Sequence, residues 1–257
     1  MNTNLEVVVR QYEARDYDRC RELFIAGMMP LTNRAMTVLF PRLLKRILPA
    51  LTVVATVGFL CLKWSTVLLF ASALGLVLAS LMYIMYYRQM TWYINSCLQT
   101  DLFDIEKSYM YNKGSCMWVA EYDNNVVGMV GLVHSENHPE GVAELQRMSV
   151  FSSVRRKGIA KKLIFELLEF AREYRYRKII LGTTILQPVA RTMYRKLGFQ
   201  VVREYPVSPN LKDFKILDYE MEIKARYLKI FNNQKWSSEK RSSKGVALIF
   251  RSRTFRL

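Results

Sequence analysis

A chain of 257 residues, 51% of them hydrophobic, can bury the core of one ordinary domain and still leave an appendage. Its net charge of +16 predicts attraction to anions, whether nucleotide phosphates, acidic lipid or nucleic acid, and says nothing about fold. The cysteines, Cys20, Cys61, Cys97 and Cys116, are scattered without a C-x-x-C pair. That excludes a disulfide framework and a cysteine zinc site, and fits buried thiols in a reducing compartment.

The first residues are polar and of mixed charge, unlike a secretory leader. Residues 5–10, rich in β-branched side chains, predict a strand, and Asp16 predicts a helix start running to about Met28. Two uncharged runs follow, Ile47 to Leu62 and Trp64 to Tyr87, separated only by Lys63. The second is long enough to cross a hydrocarbon core of about 30 Å as a helix. The first is shorter and holds Pro49, so it crosses with tilt or dips. Trp64, Tyr86 and Tyr87 stand at run ends, where aromatic rings favour the interface. Arg34, Arg42, Lys45, Arg46 and Arg88 flank the pair, which puts both flanks on the cytosolic side.

Residues 91–111 predict a helix, with Ile94, Leu98, Leu102, Ile105 and Tyr109 at spacings of three and four and Gly114 as its stop. A hairpin follows: strand 116–121, turn 123–125, strand 126–133. The loop 134–143 contains His134 and His138, read as solvated rather than metal-binding. Residues 144–150 are a strand, 158–176 an amphipathic helix, 178–184 a strand, and 188–197 a short helix stopped by Gly198. Strands at 199–202 and 216–223 finish the domain around a turn-rich linker, 206–213. The alternation predicts an α/β or α+β layered sheet. The tail 224–257 is strongly basic and interleaved with aromatic residues.

The chemistry-bearing segment is Arg155-Arg156-Lys157-Gly158-Ile159-Ala160, between a strand and a helix start. Free N–H groups and the helix dipole make an anion nest there, and Gly158 leaves room for close approach. Arg155, Arg156, Lys157, Lys161 and Lys162 add charge. Neither a G-x-G-x-x-G nor a Walker loop is present.

This R-x-x-G-x-A pattern resembles motif A of the GCN5-related N-acetyltransferase superfamily. Gln187-Pro188-Val189-Ala190-Arg191-Thr192-Met193-Tyr194-Arg195-Lys196-Leu197-Gly198-Phe199 resembles its second signature. Residues 98–109, 114–121, 147–150 and 156–161, with the apolar insert, resemble the membrane-bound N-acetyltransferase 8 (camello-like) family. The resemblance implies a mixed, mostly antiparallel sheet flanked by helices with an inserted membrane hairpin. The division is then 1–46 and 88–223 for the acetyltransferase domain, 47–87 for the hairpin and 224–257 for the tail.

It further implies acetyl-CoA as co-substrate and no metal. The diphosphate would lie on Arg155, Arg156, Lys157, Gly158, Ile159, Ala160 and Lys161, and Gln187 stands where the superfamily often has Asn. An N–H within Met148, Ser149 and Val150 would hold the acetyl carbonyl. Tyr194 matches the proton donor to the leaving thiolate, and Glu144 matches a base position. Arg147, three residues on, is assigned to the acceptor's carboxylate. It shares a face with Glu144 only if the strand bulges between them. The expected acceptor is a small amino-acid-type amine (a cysteine S-conjugate or aspartate), with protein lysine as the alternative. The insert lies where the superfamily lines its acceptor side, which brings that mouth near the bilayer. The expected location is the endoplasmic reticulum membrane with the domain facing the cytosol. The apolar hairpin beside the basic tail favours lipid over nucleic acid as that tail's partner.

Overall fold

The computed structural model describes residues 6–61, 64–207, 212 and 214–223. Leu5, Lys63, the linker residues Pro209 and Asn210, and the basic tail lie outside them. The elements in chain order are β1 (Val8–Gln11), α1 (Tyr17–Met28), α2 (Leu31–Cys61), α3 (Trp64–Gln99), β2 (Cys116–Tyr122), β3 (Asn125–Val133) and β4 (Val142–Val150). They continue with α4 (Ile159–Glu173), β5 (Lys178–Thr184), α5 (Pro188–Lys196), β6 (Gln200–Pro206) and β7 (Lys215–Glu222). One seven-stranded sheet has the order β1-β2-β3-β4-β5-β7-β6. Every neighbouring pair is antiparallel except β4–β5, which is parallel.

Both faces of the sheet are covered, so its central strands read as nearly unbroken apolar runs. Alternate residues of β2 serve opposite cores. Cys116, Trp118 and Ala120 pack with Leu163, Ile164 and Leu167 of α4, whereas Met117 and Val119 pack with Leu23, Phe24, Ile94 and Tyr109. The hairpin between β2 and β3 turns on Asp123 and Asn124, with φ of 55° and 56°, as a two-residue turn of primed type requires. Asn125, expected in the turn, is the first residue of β3.

Two segments differ from the sequence reading. Residues 91–111 are not one helix: α3 ends at Gln99, and a single π-turn, Glu106–Met110, stands apart. The side chain of Thr100 bonds back to the Ser96 carbonyl, and that of Asp104 takes the Lys107 N–H. Such local bonds compete with the helical ladder and break it. The second difference is length. The apolar helices run well past the uncharged stretches, back to Leu31 and on to Gln99, so the hairpin grows out of the domain without a break. Leu31, Ala35 and Leu39 of α2 bury against Tyr86 of α3 at its root. Ser65–Gln99 has a mean hydropathy of 2.4 and none of its most apolar window is buried, which suits a bilayer by length and composition. Ala14–Arg42 passes the same test at 1.3 with 33% of its window buried, as helices packed into the domain would.

Candidate active site

Two features of β4 open the site. Its pairing with β5 is confined to Val142–Glu144 against Lys178–Ile180, although both strands continue. The strands therefore splay beyond Glu144 and leave the β5-facing edge of β4 without a ladder. The pairing with β3 also slips: Met129 faces Ser149 but Gly131 faces Gln146. The extra residue is on β4, where Arg147 has φ 54°. This is the bulge on which a shared face for Glu144 and Arg147 was conditional.

A cavity of about 490 Å³ occupies the splay. Phe24 and Met28 of α1, Leu31 and Ala35 of α2, and Tyr86, Met90 and Tyr93 of α3 form its apolar side. Glu144 to Ser149 of β4, Thr183 and Thr184 of β5, and Gln187 and Tyr194 form the other. Glu144, Arg147, Met148, Ser149, Gln187 and Tyr194 are thus brought onto one cavity. Val150 and the loop 155–161 lie beyond its walls, where β4 ends.

Tyr194 is buried between Phe199 and Tyr219, at ring-centroid distances of 5.7 and 6.1 Å. Its hydroxyl makes no hydrogen bond among the described residues, and the residue lines the cavity. Burial, with Tyr219 adding to it, raises its pKa above the usual 10, so the phenol stays protonated. Gln187 immediately precedes α5; its side-chain amide oxygen accepts the Thr183 hydroxyl at 2.5 Å.

Arg147 is held more tightly than a waiting cation. Its Nε and Nη2 donate to both oxygens of Asp101 at 2.7 and 2.6 Å, and its guanidinium lies 5.1 Å from the Phe24 ring centroid. Nη1 has softer partners, Cys97 Sγ at 3.2 Å and Tyr93 Oη at 3.4 Å. Burial lowers the pKa of the arginine, but Asp101 outweighs it and holds the guanidinium charged. On the far side of the bulge, Glu144 Oε2 accepts Gln146 Nε2 at 2.7 Å and lies 3.6 Å from His138 Nε2. His134 Nδ1 instead meets the Val142 carbonyl at 2.8 Å, and no group of three metal ligands occurs among the described residues.

At the other end of β4, Gly158 caps α4 in the left-handed region at φ 79°, and Arg156 is left-handed too, at φ 67°. The N–H groups from Arg156 to Ala160 bond to no other described residue; the ladder starts with Lys161 and Lys162 on the Gly158 carbonyl. A Cβ at Gly158 would meet nothing within 4 Å. The cations are less convergent than the sequence suggests. Arg155 donates to the Val150 carbonyl, Lys157 to Tyr122 Oη, and Lys162 to the Val7 carbonyl. Lys161 Nζ lies 5.2 Å from the Phe165 ring centroid. Backbone amides, not these side chains, form the fixed part of the nest.

Nothing in the sequence marks Asp101 and Tyr109 as partners of Arg147: both lie in the family-like stretch 98–109, which reads as plain helix. Gln146 was legible only as the residue two along from Glu144, hence on the same face of a strand.

Over 204 residues the chain is 35% identical to N-acetyltransferase 8 of Rattus norvegicus, covering 76% of itself and 87% of that protein. The chain belongs to the GNAT acetyltransferase family. Residues 81–199 match the Acetyltransferase (GNAT) family directly. N-acetyltransferase 8F1 of Mus musculus is 36% identical over 207 residues, 78% of this chain and 89% of that one. N-acetylaspartate synthetase of Homo sapiens is 37% identical over 196 residues, 76% of this chain but 62% of the longer relative. A solved GNAT-family acetyltransferase from Staphylococcus aureus Mu50 shares the fold, with a TM-score of 0.52 at 20% identity over 85% of this chain and 100% of that one.

This GNAT enzyme is accordingly an N-acetyltransferase that uses acetyl-CoA. The nest at Arg156–Ala160 has the donor chemistry a diphosphate needs: consecutive unpaired N–H groups, a helix N-terminus and no side chain at Gly158.

Proposed function

We propose that the enzyme transfers acetyl to the amino group of a small amino-acid-type acceptor, a cysteine S-conjugate or an aspartate-like amine. The observation that carries this reading is the meeting of Glu144, Arg147 and Tyr194 on one cavity. Acetyl-CoA supplies the acetyl thioester. The backbone edge of β4 at Met148–Val150, unpaired toward β5, offers N–H donation to the acetyl carbonyl. Glu144 takes the amine's proton, directly or through water, as the new C–N bond forms. Tyr194 gives its phenolic proton to the sulfur as the C–S bond breaks. Arg147, already fixed by Asp101, presents Nη1 to the acceptor's carboxylate, which would displace the longer contact to Tyr93.

The same reading places the α2–α3 hairpin in the endoplasmic reticulum membrane with the catalytic domain on the cytosolic side and acidic lipid beneath it. The flanking cations and the exposed apolar residues Leu68, Leu69, Phe70 and Leu76 support that placement. A protein lysine acceptor is the second reading, favoured by the open side of the cavity where Trp92 is 71% exposed.

The test is a panel of S-benzylcysteine, aspartate and a lysine peptide, with labelled acetyl-CoA and the protein in microsomes. Label transfer to the first or second, lost in Tyr194→Phe, is expected. Transfer to the peptide alone would replace the small-acceptor reading with the second.

A further inference from the structure

A chain of hydrogen bonds runs behind the cavity wall from the cation to the base. Arg147 holds Asp101; Asp101 Oδ2 accepts Tyr109 Oη at 2.6 Å; Tyr109 Oη stands 3.2 Å from Gln146 Oε1; and Gln146 Nε2 donates to Glu144 Oε2 at 2.7 Å. The links come from three places in the sequence: the turn after α3, the π-turn and the bulged strand. Only the two ends and Gln146 line the cavity. Tyr109 is fully buried beneath Gly131, where a Cβ would come to 2.5 Å of its ring, so its position is set by the sheet.

An amide can present either of its ends, and which end matters here. With oxygen toward Glu144, two acceptors would oppose each other and the carboxylate would turn away. A carboxylate acting as base only accepts, so the amide turns its N–H to Glu144, as the 2.7 Å contact records. The Gln146 oxygen then faces Tyr109, whose single proton goes to Asp101 at 2.6 Å, the shorter of its two contacts.

We infer that Gln146 is a positioning residue for Glu144. This rests on Glu144 acting as the base. Gln146 aims one carboxylate oxygen and leaves the other for the amine. Glu144 also faces His138 from the loop before β4, at the longer distance of 3.6 Å, which leaves Gln146 as the closer constraint.

The experiment uses the full chain in detergent, with whichever of S-benzylcysteine, aspartate and a lysine peptide turns over. Gln146→Met keeps the length and loses the donor. Its kcat should fall about ten- to a hundred-fold, the usual effect of a slightly misplaced reacting group, while KM for acetyl-CoA stays constant. The decisive measurement is the cycle with Glu144→Gln. Once the base is gone, adding Gln146→Met should cost nothing further. An unchanged kcat in Gln146→Met, or a loss that multiplies in full on Glu144→Gln, overturns the proposal. Undiminished turnover in Glu144→Gln alone removes the base assignment, a separate result from either.

Discussion

Replacing Gly158 with alanine isolates the anion nest from the rest of the enzyme. The residue has φ 79°, and a Cβ there meets no atom within 4 Å. The fold therefore bears only the cost of a left-handed L-residue, roughly 1–2 kcal/mol. For a chain of this size that lowers the melting temperature by about 2–8 °C. The ligand bears more. The methyl would occupy the space through which a diphosphate reaches the N–H groups of Arg156–Ala160. Losing one charge-assisted hydrogen bond of about 1.5–3 kcal/mol weakens binding roughly 10- to 150-fold. Titration calorimetry of detergent-solubilised protein with coenzyme A, beside a thermal melt, measures both. A melt lowered as calculated with an unaltered dissociation constant would refute the placement of the diphosphate at Gly158.

Six further outcomes are expected. Tyr194→Phe should lower kcat by about a hundred-fold with little change in the melt, because its hydroxyl has no hydrogen-bond partner among the described residues to lose. Since burial raises the pKa of Tyr194 above 10, the wild-type kcat–pH profile should show no decline from loss of that proton below pH 10. Asp101→Ala strands Arg147, whose side chain is 15% exposed, and should cost about 3 kcal/mol in denaturant titrations. Arg147→Ala should raise acceptor KM and spare acetyl-CoA KM; an unchanged acceptor KM would count against its carboxylate role. Gly131→Ala drives a Cβ to 2.5 Å of Tyr109 and should destabilise by about 1–3 kcal/mol while lowering turnover, measured by melt and initial rate. Burial raises the pKa of Asp16, but hydrogen bonds from Arg10 and the Glu13 N–H outweigh it and hold it below the usual carboxylate range. A depressed folded value stabilises above the unfolded pKa and is lost as pH falls through the folded one. The stability gap between wild type and Asp16→Asn should be full at neutral pH and close only in strong acid, as followed by melts from pH 7 to 2.

What was legible in the sequence was local. The Asp-Asn turn, the amphipathic stripe of α4, Pro188 at the start of α5 and Gly158 before α4 each carry their signal within a few residues. The bulge at Arg147 was expected only as a condition: residues three apart share a face of a strand only where it is irregular, and it was the family resemblance that put both Glu144 and Arg147 at the site. The break after Gln99 was hidden because Ile94, Leu98, Leu102 and Ile105 keep helical spacing across a turn that Thr100 and Asp104 impose through their side chains. The partners of Arg147 were out of reach for a different reason. Asp101 meets it from the turn after α3, and Tyr109 joins them from the π-turn. No local pattern records such a meeting; only the packing of three segments on one sheet does.

Helix α3 runs 36 residues, about 54 Å at the usual rise, from its apolar tip to Gln99. Tyr93 and Cys97, the soft neighbours of Arg147, ride on its inner end. Under the membrane placement proposed above, such a rod would bear on lipid at one end and on the Arg147 guanidinium at the other, as a lever does. On that placement, stretching, thinning or crowding of the bilayer would be delivered as torque to Arg147, the cation proposed to meet the acceptor. Turnover would then respond to the physical state of the surrounding lipid with no lipid molecule entering the cleft.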